Sequence, residues 1–195
     1  MGYHSCSTNA IFESGTMSIK TIRQQLPDYA KDTKLNLGKY VGGDDVEGLM
    51  LNQAYSIALA SAYATKHADV IAAVAGQVSE TLSEAEVTAA KAAATIMGMN
   101  NIYYRFVHLA SDNEYGKLPA GLRMNIIGNP DVEKVDFELM SLAVSAINGC
   151  GMCIDAHINE VTKAGITKQG VQSTVRIASV LNAAAQALVI EAVGA

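Results

Sequence analysis

The stretch FELMSLAVSAINGCGMCIDAH, residues 137 to 157, holds two of the three cysteines and one of the four histidines of this chain. The text up to Asn148 reads as a helix, and Asn148-Gly149 allows the chain to bend. A second helix starts at the motif itself. On that helix Cys150, Cys153 and His157 are spaced three, four and seven, so they share one face. Free N–H groups at a helix start favour negative charge. A thiolate is negative and is the reactive form of cysteine, and helix termini in CxxC motifs lower the thiol pKa from about 8.5. The same spacing lets the two sulfurs close into a disulfide. His157, one turn after Cys153, is placed to move a proton from a thiol or a hydroperoxide. Glu138 lies twelve residues before Cys150, about 120° off that face on a straight helix with a ~100° step. It reaches the site only if the chain bends.

Other readings of these residues stay open here. The pair can be inert. Cys150, Cys153, His157 and Glu138 also have the ligand types of a zinc site, but structural zinc sites usually carry a second spaced pair, and none is present. His4, His67 and His108 have no partner signal. Met97 and Met99 in ATIMGMNN read as core.

A chain of 195 residues is expected to form one domain with a real core. Half its residues are hydrophobic, but alanine carries much of that share, only 6% are aromatic, and there are three prolines and no tryptophan. Such a chain reads as all-α, with close-packed helices and small residues at their contacts. The formal net charge of -5 and the lack of a Lys/Arg cluster argue against nucleic acid. Apolar runs stop short of the roughly 18 residues of a membrane span. The start, MGYHSCSTNAIFESGT, lacks the basic and apolar regions of a signal peptide. A cytoplasmic location without a membrane is expected. There a CxxC is redox-active or metal-binding more often than structural.

Residues 1–16 read as a tail, upstream of a natural start at Met17, and Cys6 within it gets no role. Residues 17–195 form the expected helical domain. One or two helices break near Pro27. Asp44 and Asp45 cap a helix from about 46 to 64, and another runs from His67 to Glu80. Ser83 to Glu86 is a capping box before a long helix ending near Leu109. Residues 111–131 read as a loop. Helices follow from Asp136 to Asn148, from GCGMC to Ala164, and from Thr167 to about Val193. The two halves align at a constant offset of 84 residues: Ser61-Ala62 on Ser145-Ala146, Val87 on Val171, Ala94 on Ala178. Cys150 then falls on Lys66, Cys153 on Asp69 and His157 on Ala73. Two similar helical units are expected, one carrying the reactive residues.

From Met17 onward the chain resembles the alkylhydroperoxidase D (AhpD) family, within the carboxymuconolactone-decarboxylase-like fold. The segments LPDYAKDTKLNL, AATIMGMNNIYYR, PAGLRMNIIGNP, FELMSLAVSAINGC and CIDAH carry the resemblance, in order. It implies an all-helical subunit assembled as a homotrimer, and antioxidant peroxide reduction with no bound cofactor or metal. It implies that Cys153 attacks the peroxide and becomes sulfenic acid. Cys150 is implied to resolve it to a disulfide and to act as proton donor, with His157 and Glu138 as a proton relay. The implied reductant is dihydrolipoamide on the lipoyl domain of a 2-oxo-acid dehydrogenase complex, and the implied client an AhpC-type peroxiredoxin. Thiol–disulfide exchange supports such a chain. One departure stands out. The familiar family motif is CSHC, and Met152 replaces its histidine with a side chain that carries no proton.

Two functions fit within this resemblance: a lipoyl-dependent alkyl hydroperoxide reductase, or a thiol–disulfide electron adaptor with little peroxidase activity of its own. Met152 favours the adaptor. A carboxymuconolactone-decarboxylase-like enzyme has no evident need of a CxxC.

Overall fold

The computed structural model describes residues 17–43 and 45–194, and among these every regular element is helical. The tail 1–16, with His4 and Cys6, and the cap expected at Asp44 lie outside the described residues. Helix α1 is Ile19–Gln25, capped by Ser18, whose Oγ accepts the Thr21 N–H. Pro27 breaks the chain as expected. A 3-10 turn at Asp28–Ala30 leads into α2, Lys31–Tyr40. Then come α3 Leu51–Thr65, α4 Ala68–Val78 and α5 Glu84–Leu109. The Ser83 capping box is present: Ser83 Oγ accepts the Glu86 N–H, and Glu86 accepts the Ser83 N–H at 2.7 Å. The second half holds α6, a single turn at Asn125–Gly128, then α7 Lys134–Asn148, α8 Gly151–Lys163 and α9 Lys168–Gly194.

Two expected element boundaries need correction. The helix expected from residue 46 starts at Leu51. The segment before it turns at Gly48, φ 79°, and lies against α9, where Ser173 Oγ donates to the Glu47 carbonyl at 2.8 Å. That contact is distant in sequence, so local capping signals do not report it. The span 111–131 is also not all loop: it contains a 3-10 helix at Asn113–Lys117 as well as α6.

Helices α3 and α7 form the centre and pack on each other. Every residue from Gln53 to Ala62 and from Phe137 to Ser145 is buried. Helices enclosed on all sides are apolar all round rather than striped, and alanines and serines let them approach closely. Large fully buried side chains such as Ile57, Leu59, Phe137, Leu139 and Ile177 fill the remaining space, each contributing about 1.5–3 kcal/mol on burial. Helix α9 is long and apolar enough to cross a membrane by length and composition, but its inner face, including Ile177, Leu181 and Ala184, is core packed on α2, α3 and α7.

The chain repeats in three dimensions. Helices α3, α4 and α5 match α7, α8 and α9 in order, and the contacts match too: α3 meets α5 and α9, as α7 meets α9 and α5. The offset, however, is not constant. Glu84 pairs with Lys168 at the offset of 84 expected from sequence. The first two helices are one residue out of that register: Leu51 pairs with Lys134, Thr65 with Asn148, Ala68 with Gly151. The left-handed Lys66 then matches the left-handed Gly149, and buried Val70, Val74 and Val78 match buried Cys153, His157 and Val161. The sequence alignment of Cys150 with Lys66, Cys153 with Asp69 and His157 with Ala73 is therefore corrected by one position. The link from the second helix to the third differs in length between the halves, and an ungapped comparison misses that. Helices α1 and α2 pack on α4 and α9. The equivalent cleft, between α8 and α5, holds a cavity that Cys153 lines.

Two glycines make a direct test. A Cβ on Gly48 would stand 2.5 Å from the Gly170 nitrogen, at positive φ; one on Gly149, also at positive φ, would meet open space. Gly149→Ala is expected to cost about 1 kcal/mol and Gly48→Ala about 3 kcal/mol, read from urea denaturation. Equal losses would contradict the close approach of residue 48 to α9.

Candidate functional site at the start of α8

Gly149 ends α7 in the left-handed conformation (φ 67°), and the Cys150 N–H returns to the Ser145 carbonyl at 3.1 Å. This is the hydrogen-bond pattern of a glycine-terminated helix. Helix α8 begins one residue after the cap, at Gly151, so the second helix starts at the motif as expected. Cys150 is its N-cap: its Sγ accepts the Cys153 N–H at 3.4 Å. The two cysteines are joined in a disulfide with Cα atoms 5.3 Å apart, inside the usual range for such a bond. Cys150 is fully buried and Cys153 is 7% exposed.

The bend at Gly149 folds α8 back on α7, and this satisfies the condition placed on Glu138. Its Oε2 lies 2.6 Å from His157 Nδ1, with both side chains buried. The other ring nitrogen, Nε2, lies 3.3 Å from Met97 Sδ on α5. A thioether sulfur only accepts hydrogen bonds. In the tautomer with hydrogen on Nε2, that hydrogen is directed at the Met97 sulfur, and Nδ1 faces the carboxylate. Such a short pair in a dry setting is a strong, charge-assisted contact. The four residues expected from sequence thus come together as two pairs. In the disulfide form the two nitrogens of His157 face Glu138 and Met97, and neither is bonded to a cysteine.

A cavity of about 230 Å³ joins the two pairs. Met97, Asn100 and Tyr104 of α5 form one wall, and Met152, Cys153 and His157 of α8 the other. Met124 and Ile127, around α6, close a third side. The lining is almost entirely carbon and sulfur. Cys153 lines the cavity and Cys150 does not, so a ligand there meets Cys153. Met152, which lies just before Cys153 in the CxxC, is 38% exposed.

A polar chain braces α5 against the end of α7. Arg105 donates to the Asn148 carbonyl at 2.6 Å, Asn148 Nδ2 to Asn101 Oδ1 at 2.9 Å, and Asn101 Nδ2 to Ser145 Oγ at 2.9 Å. The carbonyl of Ser145 is the one that receives the Cys150 N–H. The start of α8 is thereby tied to α5 as well as to α7.

Met97, which reads as core in the sequence, is core, 2% exposed, and it is also the partner of His157. The sequence alone does not single out Asn100 and Tyr104. Met97, Asn100 and Tyr104 recur at three and four residues along α5, and an asparagine on such a buried stripe is the signal that could have exposed the face. Among the described residues, no group of three or more His, Cys, Asp or Glu stands together as a metal site.

A model of the carboxymuconolactone decarboxylase family matches residues 113–194. The alkyl hydroperoxide reductase AhpD of Coxiella burnetii is 54% identical over 173 residues, covering 89% of this chain and 98% of that protein. AhpD of Rhodospirillum centenum is 52% identical over 176 residues, covering 90% of this chain and 93% of that protein. AhpD of Brucella canis is 51% identical over 172 residues, covering 88% and 97%. With half its residues shared across nearly the full length of these relatives, the chain belongs to the AhpD family within the carboxymuconolactone-decarboxylase-like fold.

Proposed function

We propose that this chain is an alkyl hydroperoxide reductase that works through the Cys150–Cys153 dithiol. The observation that carries the reading is the placement of Cys153 in an apolar cavity, paired to Cys150 behind it and flanked by the hydrogen-bonded His157–Glu138 couple. The reductases named above act on the substrate class such a cavity suits.

The cycle begins with the reduced dithiol. The Cys153 thiolate attacks the terminal oxygen of ROOH; the O–O bond breaks, giving Cys153 sulfenic acid and an alkoxide that takes a proton to leave as ROH. The Cys150 thiol attacks the sulfenic sulfur, water departs, and the disulfide forms. Dihydrolipoamide returns two electrons and two protons by thiol–disulfide exchange. His157, held by Glu138, supplies and recovers the proton. The carrier of the dihydrolipoamide is the lipoyl domain of a 2-oxo-acid dehydrogenase complex, the client an AhpC-type peroxiredoxin, and the working form a cytoplasmic homotrimer. No cofactor stays bound.

Met152 supports a second reading, an electron adaptor that passes lipoyl electrons to the peroxiredoxin with little peroxidase activity of its own, because a thioether at the cavity supplies no proton to the peroxide step. A decarboxylase of lactone acids fits less well: the residues lining the cavity include no lysine or arginine to hold a carboxylate.

Protein mixed with lipoamide, dihydrolipoamide dehydrogenase and NADH tests the reading when tert-butyl hydroperoxide is added. Peroxide-dependent NADH loss is expected, and oxidation only after an oxidised AhpC-type peroxiredoxin is added would make the chain an adaptor. Cys153→Ser is expected to abolish turnover and sulfenic-acid trapping by dimedone. Cys150→Ser is expected to abolish turnover while keeping the trap; full activity in either variant would sink the mechanism. His157→Gln should lower peroxide turnover by about 10²-fold. Met152→His should raise it, and an unchanged rate would remove the case for a missing acid.

A further inference from the structure

Asn100 has no part in the cycle of the two cysteines, and its setting is unusual. It is 3% exposed, lines the cavity beside Cys153 and His157, and its Oδ1 is buried without a hydrogen-bond partner in the protein. A buried polar atom left unpaired is destabilising and calls for a reason. Replacing it with a carbon side chain of similar shape would relieve that cost. Its neighbours Met97 and Tyr104 on the same stripe offer it no donor: Met97 Sδ faces His157, and the Tyr104 hydroxyl faces Met124 Sδ at 3.9 Å.

We propose that Asn100 is the substrate-binding residue that holds the hydroperoxide head, its Oδ1 accepting the ROO–H hydrogen. This rests on the peroxidase reading above and goes beyond it. A hydroperoxide has an apolar body for the carbon and sulfur walls and one O–H donor for the single unpaired acceptor. The contact also decides which oxygen reacts. Oδ1 holds the oxygen that bears hydrogen, the one Cys153 must attack; that oxygen and its hydrogen pass to sulfur as Cys153–SOH. The alkyl-bearing oxygen leaves as alkoxide and takes the proton on His157 Nε2, which already points into the same cavity toward Met97. Asn100 and His157 thus divide the two oxygens between them.

The test uses full-length protein and Asn100→Leu, which keeps the shape and removes the acceptor. Three quantities are measured: the rate of Cys153 sulfenic-acid formation from the dithiol with tert-butyl hydroperoxide, the rate of disulfide reduction by dihydrolipoamide, and the melting temperature. Sulfenic-acid formation roughly tenfold slower, with unchanged reduction and an equal or higher melting temperature, is the expected result. An unchanged rate of sulfenic-acid formation would overturn the inference and leave the peroxidase reading standing. Slower reduction by dihydrolipoamide alone would assign the contact to the carrier's amide and overturn it too. A clear drop in melting temperature would make the carboxamide structural and would likewise overturn the inference. Absence of sulfenic acid in the wild type would instead bring down the peroxidase reading itself, and the inference with it.

Discussion

The hydrogen bond between Glu138 and His157 organises the active half of the molecule. Helix α7 is enclosed on all sides, and a carboxylate on such a helix requires a partner or a proton. The partner comes from α8, and it reaches Glu138 only because Gly149 reverses the chain between them. Once α8 is pinned by that contact, the rest follows from helix geometry. Cys150 becomes the cap, Cys153 turns toward the cavity, and the second nitrogen of His157 finds Met97 on α5. Two contacts of one histidine therefore tie together three helices, and removing Glu138 or His157 would leave the other as an uncompensated polar group in the core.

The walls of the cavity matter as much as its polar groups. Carbon and sulfur line it, so a charge formed there is poorly screened and the few hydrogen bonds present act strongly. A thiolate, a departing alkoxide and an imidazolium are all sensitive to such surroundings.

Much of this is legible in the sequence, because it is local. The break at Pro27, the Ser83–Glu86 box, the start of α8 at the CxxC and the shared face of Cys150, Cys153 and His157 all follow from neighbours within about two turns. The approach of Glu138 to His157 is legible only as a condition on a bend. The start of α3 departs from its local signals because residues near Gly48 are held by α9, far along the chain. The two halves show in the sequence, but their register slips by one over the first two helices, since alanine-rich helices look alike when shifted. Met97 reads simply as core because burial and partnership to a histidine leave the same mark on a sequence. Asn100 stays hidden because nothing local says that its amide finds no donor.

The corrected register has its own consequence. At the places where the second half has Cys153 and His157, the first half has Val70 and Val74, also buried on an equivalent helix. The molecule carries a hydrocarbon version of its own candidate site. Plain valine is sufficient for folding at these two seats, so a helix of this shape does not need a thiol or an imidazole to pack. Helix α1 packs on α4, the helix that carries these valines, and α2 packs on α9. Of the two equivalent clefts, the one at α4 and α9 is covered by α1 and α2, and the one between α8 and α5 is left as a cavity.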